Sequence, residues 1–327
     1  MLRIDYTADM SDLAADPSPT SYPLSAHGQL PHLASLVRHH QRAKAQQIVE
    51  PKAMVGSKAV IENKTVGEKL KAMSDAKLER RIVRAVGKAI GDFKLIEEGD
   101  RILVGVSGGK DSWTLLHILN ILRQRAPVKF TLVAVNIDQG FRGFQQDKIE
   151  DYLAQRGFEY HTDEFDTARL LEEKVAAGDT PCSLCSRLRR GVLYGLAEKL
   201  SCNKIALGHH LDDFIETLLL NQFFIGRNAA MAVKLRAEDQ RNIVIRPLVY
   251  VREAEIIEYA ERMAFPIVCC QCPLMCGETV HGDYKRRFVK KMLDILEVGI
   301  PEIRNSLLAS LANVRPSHLL NRELMEL

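Results

Sequence analysis

The chain has 327 residues, of which 46% are hydrophobic and 27% charged, and its formal net charge is +3 at pH 7. This hydrophobic content is ample for the core of one large domain or two small ones. No run of about 18 consecutive apolar residues occurs, which argues against a membrane span. The N-terminal residues carry several aspartates and no apolar segment, so a secretory signal is not expected.

Residues 1–73 differ from the rest of the chain. They contain five prolines and a basic patch over residues 38–44, without sustained hydrophobic periodicity. This composition predicts an N-terminal extension that is largely disordered. The remaining chain is expected to form an α/β domain carrying a cysteine site over residues 74–280. A helical segment over residues 281–327 is expected to pack on that domain.

Strand-like and helical stretches alternate along the predicted domain. A helix is expected around residues 78–90, where apolar side chains recur every four residues. Strands are then predicted over residues 101–106, 130–137, 204–207 and 243–245, and helices over residues 113–124, 145–155, 213–224 and 253–263. The strands are almost continuously apolar, which is typical of a parallel sheet covered on both faces. The predicted fold class is therefore α/β, with a doubly wound, mostly parallel sheet and flanking N- and C-terminal helices.

The first predicted strand ends in a Gly-rich loop, Ser107-Gly-Gly-Lys-Asp-Ser112. Glycines let backbone N–H groups close around an anion, and the following helix directs its positive N-terminus toward the same point. The lysine adds a mobile charge, and the serines add hydroxyl donors. The spacing differs from a Walker loop and resembles the pyrophosphate loop of enzymes that split ATP into AMP and pyrophosphate. ATP-binding residues are predicted as Ser107, Gly108, Gly109, Lys110, Asp111 and Ser112; the alternative is a turn without a ligand.

A second polar element, Gly208-His-His-Leu-Asp-Asp213, follows the predicted strand at residues 204–207. The carboxyl ends of parallel strands share one sheet edge, so this element should lie near the loop. Asp111 and Asp213 are the expected Mg²⁺ carboxylates, because Mg²⁺ prefers carboxylate and phosphate oxygens. With Lys110 they form the predicted catalytic set. The alternative for one aspartate is that it caps the following helix.

Four further residues are candidates for the same edge. Gly208, His209 and Asp212 are predicted to contact the nucleotide, and Asp138, at the end of the second strand, to contact adenine or ribose. An ordinary strand-end turn is the alternative for Asp138. Arg246 follows the last predicted strand, where it would either neutralise phosphate or form a surface salt bridge.

Seven cysteines occur in a chain without a predicted secretory signal, which indicates a reducing cytoplasm and a metal or redox role. Cys182 and Cys185 form a Cys-x-x-Cys pair at the start of a predicted helix, and four more thiols follow at residues 269–276. Zinc, an iron–sulfur cluster and a redox disulfide all stay open on spacing alone. Cys202 stands apart and is predicted to be a small core residue.

Several motifs together resemble one family: SGGKDS, LVAVNID, PCSLCSRLRRG, IALGHHLDD and IVIRPL. The chain is similar over residues 93–319 to the tRNA 2-thiocytidine synthetases of the TtcA type, the tRNA-cytidine(32) 2-sulfurtransferases of the PP-loop ATP pyrophosphatase superfamily. The resemblance implies ATP, Mg²⁺ and a 4Fe–4S cluster held by three cysteines. Cys182 and Cys185 match the first two ligands. The family shows a single Pro-Cys-x-x-Cys-Gly where this chain has CCQCPLMCG, so the third ligand is assigned to Cys270, with Cys272 as the alternative.

The resemblance also implies a reaction and its partners. The C2 oxygen of cytidine 32 in a tRNA anticodon loop would be adenylated and replaced by sulfur supplied by a cysteine desulfurase. Basic residues after both cysteine groups are expected to contact RNA phosphates: Arg187, Arg189, Arg190, Lys285, Arg286 and Arg287. No membrane partner is expected, and a homodimer is one option left open. The alternatives are a tRNA 2-thiouridine synthetase of the same superfamily and a zinc-stabilised RNA-binding module without catalysis.

Overall fold

The computed structural model describes residues 57–174, 182–237, 240–269 and 284–320, without the side chains of residues 57–73, 172, 174, 182 and 183. The chain divides into two compact units, Met1–Glu62 and Asn63–Leu327. The fold described below is that of the second unit. Most of the predicted N-terminal extension, residues 1–56, lies outside the described residues.

Strands and helices alternate through this unit, as the sequence predicts. The helices are α1 (Ser57–Phe93), α2 (Lys110–Arg125), α3 (Gln146–Gln155), α4 (Thr167–Lys174), α5 (Cys182–Lys199), α6 (Leu211–Phe224), α7 (Glu253–Met263), α8 (Tyr284–Gly299) and α9 (Ile303–Ser310). The strands are β1 (Arg101–Gly105), β2 (Thr131–Asp138), β3 (Tyr160–Glu164), β4 (Lys204–Ala206), β5 (Lys234–Arg236) and β6 (Ile243–Ile245). Short 3₁₀ turns cover Pro247–Tyr250 and Pro316–His318.

The six strands form one sheet in the order β3-β2-β1-β4-β6-β5. All neighbouring pairs are parallel except β5 and β6, which are antiparallel. From β1 the chain winds to one side through β2 and β3, then to the other through β4 and β6. A crevice therefore opens between the carboxyl ends of β1 and β4, which is where such sheets bind ligands. The predicted fold class is confirmed.

Apolar layers cover both faces of the sheet. Along β1, Ile102 and Val104 join the core formed with α1, α2 and α7, whereas Leu103 faces the core formed with α5. Burial of both side-chain sets explains why the strand sequences read as continuous apolar runs. Among the described residues, no helix combines the length and the apolar character that crossing a bilayer requires.

A third apolar cluster joins the C-terminal helices to α6. Leu211, Ile215 and Leu219 of α6 pack against Val289 and Leu293 of α8, and α9 lies against the same cluster. The residues that follow β4 are thereby held between the sheet and these helices. This arrangement fixes the start of α6 beside the crevice.

The helix predicted near residues 78–90 extends further than the sequence indicated. It begins at Ser57, so the predicted limit of the extension at residue 73 falls inside α1. Residues 57–73 contain too few apolar side chains at helical spacing to reveal it. The edge strands β3 and β5 and the short helix α4 were also not predicted.

Candidate active site

The Gly-rich loop lies between β1 and α2, at the crevice. Gly108 has a positive φ of +82°, and a Cβ there would lie 3.0 Å from the Cβ of Val268 and 3.1 Å from the side chain of Ile149. Backbone conformation and close packing therefore both require glycine. The loop leads into the N-terminus of α2, where the helix dipole favours an anion. These residues fit the phosphates of ATP.

Side chains brace this loop from inside. Ser112, which is buried, donates from Oγ to the carbonyl of Gly109 at 2.8 Å and accepts from the Ser107 N–H at 3.2 Å. From β2, the Asn136 amide donates to the carbonyl of Val106 at 2.7 Å. Asn136 was missed by the sequence analysis, although a buried polar residue inside the apolar run LVAVNI was a usable signal. It holds the end of β1 beside the loop.

The second motif packs directly on the first. A Cβ on Gly208 would lie 3.1 to 3.2 Å from backbone atoms of Asp111 and Ser112, so the loop after β4 touches the first turn of α2. Asp111 and Asp213 flank one imidazole: Oδ1 of Asp111 is 3.7 Å and Oδ2 of Asp213 is 3.5 Å from Nε2 of His210. The structure thus brings both predicted carboxylates together.

The two carboxylates fit a Mg²⁺ ion that is shared with substrate phosphates. Mg²⁺ commonly takes one or two carboxylates and completes its shell with phosphate and water oxygens. Among the described side chains, no three His, Cys, Asp or Glu residues gather in an arrangement suited to a metal ion by themselves. Asp213 also accepts the backbone N–H of His210 at 3.0 Å, so it caps α6 as well.

Asp212 and Asp138, both predicted to contact the nucleotide, form hydrogen bonds within the fold. Asp212 is buried, accepts the Glu253 N–H at 2.6 Å through Oδ2, and pairs with Arg304 at 2.7 Å through Oδ1. Both carboxylate oxygens are thus engaged within the fold, where Asp212 joins α6, α7 and α9, and its predicted contact with the nucleotide stays a prediction. Asp138 accepts the N–H of Gly140 at 2.8 Å, the strand-end turn that was its alternative.

Lys110 has an acidic partner that the sequence did not reveal. Its Nζ lies 3.0 Å from Oδ1 of Asp111 and 3.2 Å from Oε1 of Glu253, and Glu253 also pairs with Lys290 of α8 at 2.5 Å. Burial lowers the pKa of Lys110, but the two carboxylates outweigh it and raise that pKa overall. Burial raises the pKa of Glu253, whereas Lys290 and Lys110 bring it down to about 2. Glu253 therefore holds the loop lysine at the crevice.

Both cysteine segments reach the same sheet edge. Cys185 is half-buried on the first turn of α5, and its Sγ donates to Oε1 of Gln139, just beyond β2, at 3.4 Å. The second segment is tied to the loop, since the Val268 N–H donates to the Gly108 carbonyl at 3.0 Å. Cys269 follows immediately and is exposed. The side chain of Cys182, the first residue of α5, and both third-ligand candidates, Cys270 and Cys272, lie outside the described residues.

Cys202 is buried on the opposite side, before β4, and burial raises the pKa of its thiol. Its predicted role as a core residue agrees with this position. Cys202 lies at the amino end of β4, whereas both cysteine segments reach the carboxyl ends of the strands.

The basic residues predicted to contact RNA are mostly exposed. Arg187, Arg189 and Arg190 lie exposed on α5, and Nη2 of Arg189 is 3.6 Å from Sγ of Cys185. On α8, Arg286 pairs with Glu216 at 3.0 Å, and the Nζ of Lys285 lies 4.9 Å from the ring centre of Phe224. The α5 arginines border the cysteine segment, whereas Arg286 is engaged with an acidic residue of α6.

The parallel sheet, the Gly-rich loop and the crevice beside it define a PP-loop domain. A family model described as a PP-loop domain matches residues 75–267, and the chain belongs to this family. Within it, the chain belongs to the tRNA-cytidine(32) 2-sulfurtransferase family, as the sequence motifs predicted. It is 55% identical to the tRNA-cytidine(32) 2-sulfurtransferase of Geobacter sulfurreducens over 248 residues, which are 76% of this chain and 95% of that relative.

A second relative agrees with the family assignment, and a solved structure agrees with the fold. The tRNA-cytidine(32) 2-sulfurtransferase of Syntrophotalea carbinolica is 51% identical over 250 residues, 76% of this chain and 95% of that relative. Among solved structures, the U34-tRNA thiolase NcsA from Methanococcus maripaludis with its 4Fe–4S cluster aligns with a TM-score of 0.58 at 22% identity. The alignment covers 77% of this chain and 80% of that one, and it shows a shared fold.

Proposed function

We propose that this protein thiolates tRNA at cytidine 32, using ATP to activate the C2 oxygen and replacing that oxygen with sulfur to give 2-thiocytidine. The observation that carries the proposal is the meeting of three elements at one sheet edge. These are the phosphate loop, the carboxylates Asp111 and Asp213, and the two segments that lead into the cysteine groups. The names of the similar relatives support the same substrate and position.

The loop residues act on the phosphates. As the C2 oxygen forms a bond to the α-phosphorus, the bond between the α-phosphorus and the bridging oxygen breaks, and pyrophosphate leaves. Loop N–H groups and Lys110 stabilise the charge that grows on this leaving group. Lys110 must loosen its contact with Glu253 to do so, and Glu253 retains Lys290 as a partner. Asp111 and Asp213 would hold Mg²⁺, which would supply neutralisation of the phosphate charge when bound.

Sulfur replaces the activated oxygen in the second half of the reaction. A carbon–sulfur bond forms at C2, the carbon–oxygen bond breaks, and AMP leaves with the oxygen. Cys182, Cys185 and Cys270, with Cys272 as the alternative third ligand, would hold the 4Fe–4S cluster, which presents sulfur to C2 when bound. The Arg189 guanidinium beside Sγ of Cys185 suits an anionic thiolate ligand. A cysteine desulfurase in the cytoplasm would supply the sulfur.

The exposed arginines of α5 provide an entry surface for RNA. Arg187, Arg189 and Arg190 border Cys185, so phosphates that contact them would bring a flanking base toward the crevice. Lys285 and Arg287 of α8 would extend this surface. Bases in an anticodon loop are single-stranded and can be turned out of the stack, which cytidine 32 needs in order to reach the loop.

The test is a reconstituted reaction. Protein purified anaerobically would be incubated with ATP, Mg²⁺, sulfide and tRNA from a strain that lacks this gene, and digested nucleosides would be separated and identified. We expect one AMP and one pyrophosphate for each 2-thiocytidine formed. Release of ADP and phosphate would contradict the mechanism, and formation of 2-thiouridine in place of 2-thiocytidine would contradict the substrate.

A further inference from the structure

Arg246 is a buried cation at the carboxyl edge of the sheet. It directly follows β6 and retains 9% of its surface. Its Nε donates to Nδ1 of His209 at 3.3 Å, and its Nη1 donates to the carbonyl of Ala232 at 2.6 Å. Neither partner is a carboxylate, and no acidic side chain in the described part of the chain forms an ion pair with it. The surface salt bridge that was its alternative is therefore not seen among those residues.

The histidine partner does not supply negative charge. A guanidinium has no acceptor, so Nδ1 of His209 must accept and the imidazole proton must lie on Nε2. Burial, followed by the charge of Arg246, lowers the pKa of His209 to about 4. At neutral pH the imidazole is consequently uncharged, and its Nε2–H is a donor. Arg246 and His209 together present donors and one net positive charge.

A second arginine adds to this charge. Burial is the main cause that lowers the pKa of Arg246; the Tyr194 hydroxyl opposes it, and the nearby charge of Arg190 lowers it further. Arg190 is exposed on α5, on the same basic surface as Arg187. Arg190 therefore adds positive charge in the neighbourhood of a guanidinium whose ionised form burial already disfavours. Such an arrangement is unfavourable unless an anion accompanies it.

We propose that Arg246, Arg190 and His209 form an anion site that binds a phosphate oxyanion during the reaction. Arg246 follows β6, two strands from β1, and His209 follows β4, the strand beside β1, so the site borders the Gly-rich loop on its β4 side. The planar guanidinium fork matches phosphate oxygens, and Nη2 of Arg246 has no partner among the described residues. The inference rests on the proposed function, because a tRNA and a nucleotide are the two sources of this oxyanion.

Continuity with the α5 surface favours a backbone phosphodiester of the tRNA. Arg187 and Arg190 are both exposed on α5 and lie about one helical turn apart, so they share one side of that helix. A strand that contacts Arg187 could place its next phosphate over Arg190 and Arg246. The α-phosphate of the nucleotide is the other source, and the experiment separates the two.

The experiment compares Arg246→Gln and Arg190→Gln with a matched control, Arg236→Gln. Arg236 is exposed on the edge strand β5, and among the described residues it bonds only to the carbonyl of Gln240. Dissociation constants are measured by titration calorimetry for an anticodon stem–loop RNA and, separately, for a non-hydrolysable ATP analogue with Mg²⁺. We expect a roughly ten- to hundredfold loss of RNA affinity for Arg246→Gln, the effect of a charge-assisted contact.

The salt dependence of RNA affinity distinguishes a phosphate contact from a merely structural role, which would leave that dependence unchanged. Each phosphate contact removed should reduce the slope of log affinity against log salt by about 0.7 for single-stranded RNA. A loss confined to the RNA titration identifies the phosphodiester, and a loss confined to the ATP analogue identifies the α-phosphate. Unchanged binding of both ligands in Arg190→Gln and Arg246→Gln would overturn the site.

Further outcomes separate a failure of the anion site from a failure of the proposed function. If Arg246→Gln fails to fold, as judged by circular dichroism, Arg246→Lys replaces it in both titrations, because lysine keeps the positive charge and removes the planar guanidinium fork. If the wild-type protein binds both ligands but forms no 2-thiocytidine, the proposed function fails while the anion site stands on its binding data. If it forms 2-thiocytidine and both variants bind as the control does, the anion site alone fails.

Discussion

Two buried cations of the same sheet differ in their surroundings. One lies where the parallel strands begin, here called the amino edge, and the other lies where they end, here called the carboxyl edge. Lys204 begins β4 at the amino edge, is 1% exposed, and lies 2.7 Å from carboxylate oxygens of both Asp100 and Glu97. Arg246 follows β6 at the carboxyl edge, where its bonding partners are a neutral imidazole and a carbonyl. The charge of Lys204 is balanced by two carboxylates of the fold. Among the described residues, no carboxylate pairs with Arg246.

The difference separates residues that stabilise the fold from residues available to ligands. Asp100 also accepts the Glu97 N–H and the Asn203 amide, both at 2.7 Å, so its ion pair with Lys204 belongs to a closed network. At the other edge the loop N–H groups, Lys110 and Arg246 keep donor capacity for phosphate. Substitutions at the amino edge should therefore change stability, and those at the carboxyl edge should change activity.

The largest effect is expected from Asp100→Ala at the amino edge. The substitution leaves Lys204 buried with only the exposed carboxylate of Glu97, and removing one partner of a buried pair costs about 3–5 kcal/mol. Urea unfolding measures the loss. Glu97→Gln is the control, because its side chain is 63% exposed and such a pair contributes less than about 1 kcal/mol. Equal losses in the two variants would contradict the distinction between the buried and the exposed partner.

Lys110→Ala tests the opposite edge. Without the charge at the loop we expect kcat/KM for thiolation to fall by roughly 10²–10³, the usual cost of losing one donor to a developing anion. Unfolding free energy should change little, because the side chain is partly exposed. Lys129→Ala, which alters an exposed lysine just before β2, should leave both quantities unchanged. A fall in stability without a fall in kcat/KM would place Lys110 with Lys204, as a structural cation.

Glu253 shares features of both groups, since it is a half-buried carboxylate whose ion pair with Lys110 holds a loop residue. Its pKa is about 2 in the folded protein against an ordinary 4.5, so its ion pairs stabilise the fold above pH 4.5. That contribution is lost as the pH falls from 4.5 to 2. Glu253→Gln should cost about 1–3 kcal/mol at pH 7, and this cost should approach zero only below the folded-state pKa of about 2. Unfolding curves across this range measure it, with exposed Glu261→Gln of the same helix as control.

The sequence predicts which residues meet at the carboxyl edge, but it does not predict which of their side chains pair with one another. Strand–loop–helix context placed Ser107–Ser112 and Gly208–Asp213 at one edge because parallel strands must align their ends. The contact of Glu253 with Lys110 depends on how α7 docks, and no local pattern encodes that. The contacts of Asp212 were not predicted for the same reason, because its partners, Glu253 and Arg304, come from helices that reach it only after folding.

The missed strands have a different physical cause. β3 reads Tyr-His-Thr-Asp-Glu, and its side chains are half-buried or exposed, because it lies at the edge of the sheet. β5 has three residues and forms the other edge. Central strands such as β1 are covered on both faces and must be apolar, which makes them visible in the sequence, whereas an edge strand carries no such requirement.

The smallest effect distinguishes two cysteines at the two edges. Cys202→Ala removes a buried thiol near the start of β4, and we expect a loss of about 1 kcal/mol with iron and sulfide content unchanged. Cys185→Ala, at the carboxyl edge, should leave stability of the protein without iron nearly unchanged and abolish most iron binding. Iron and sulfide analysis after anaerobic purification measures both. Iron loss in Cys202→Ala would contradict the assignment of Cys202 to the core and of cluster binding to the cysteines at the carboxyl edge.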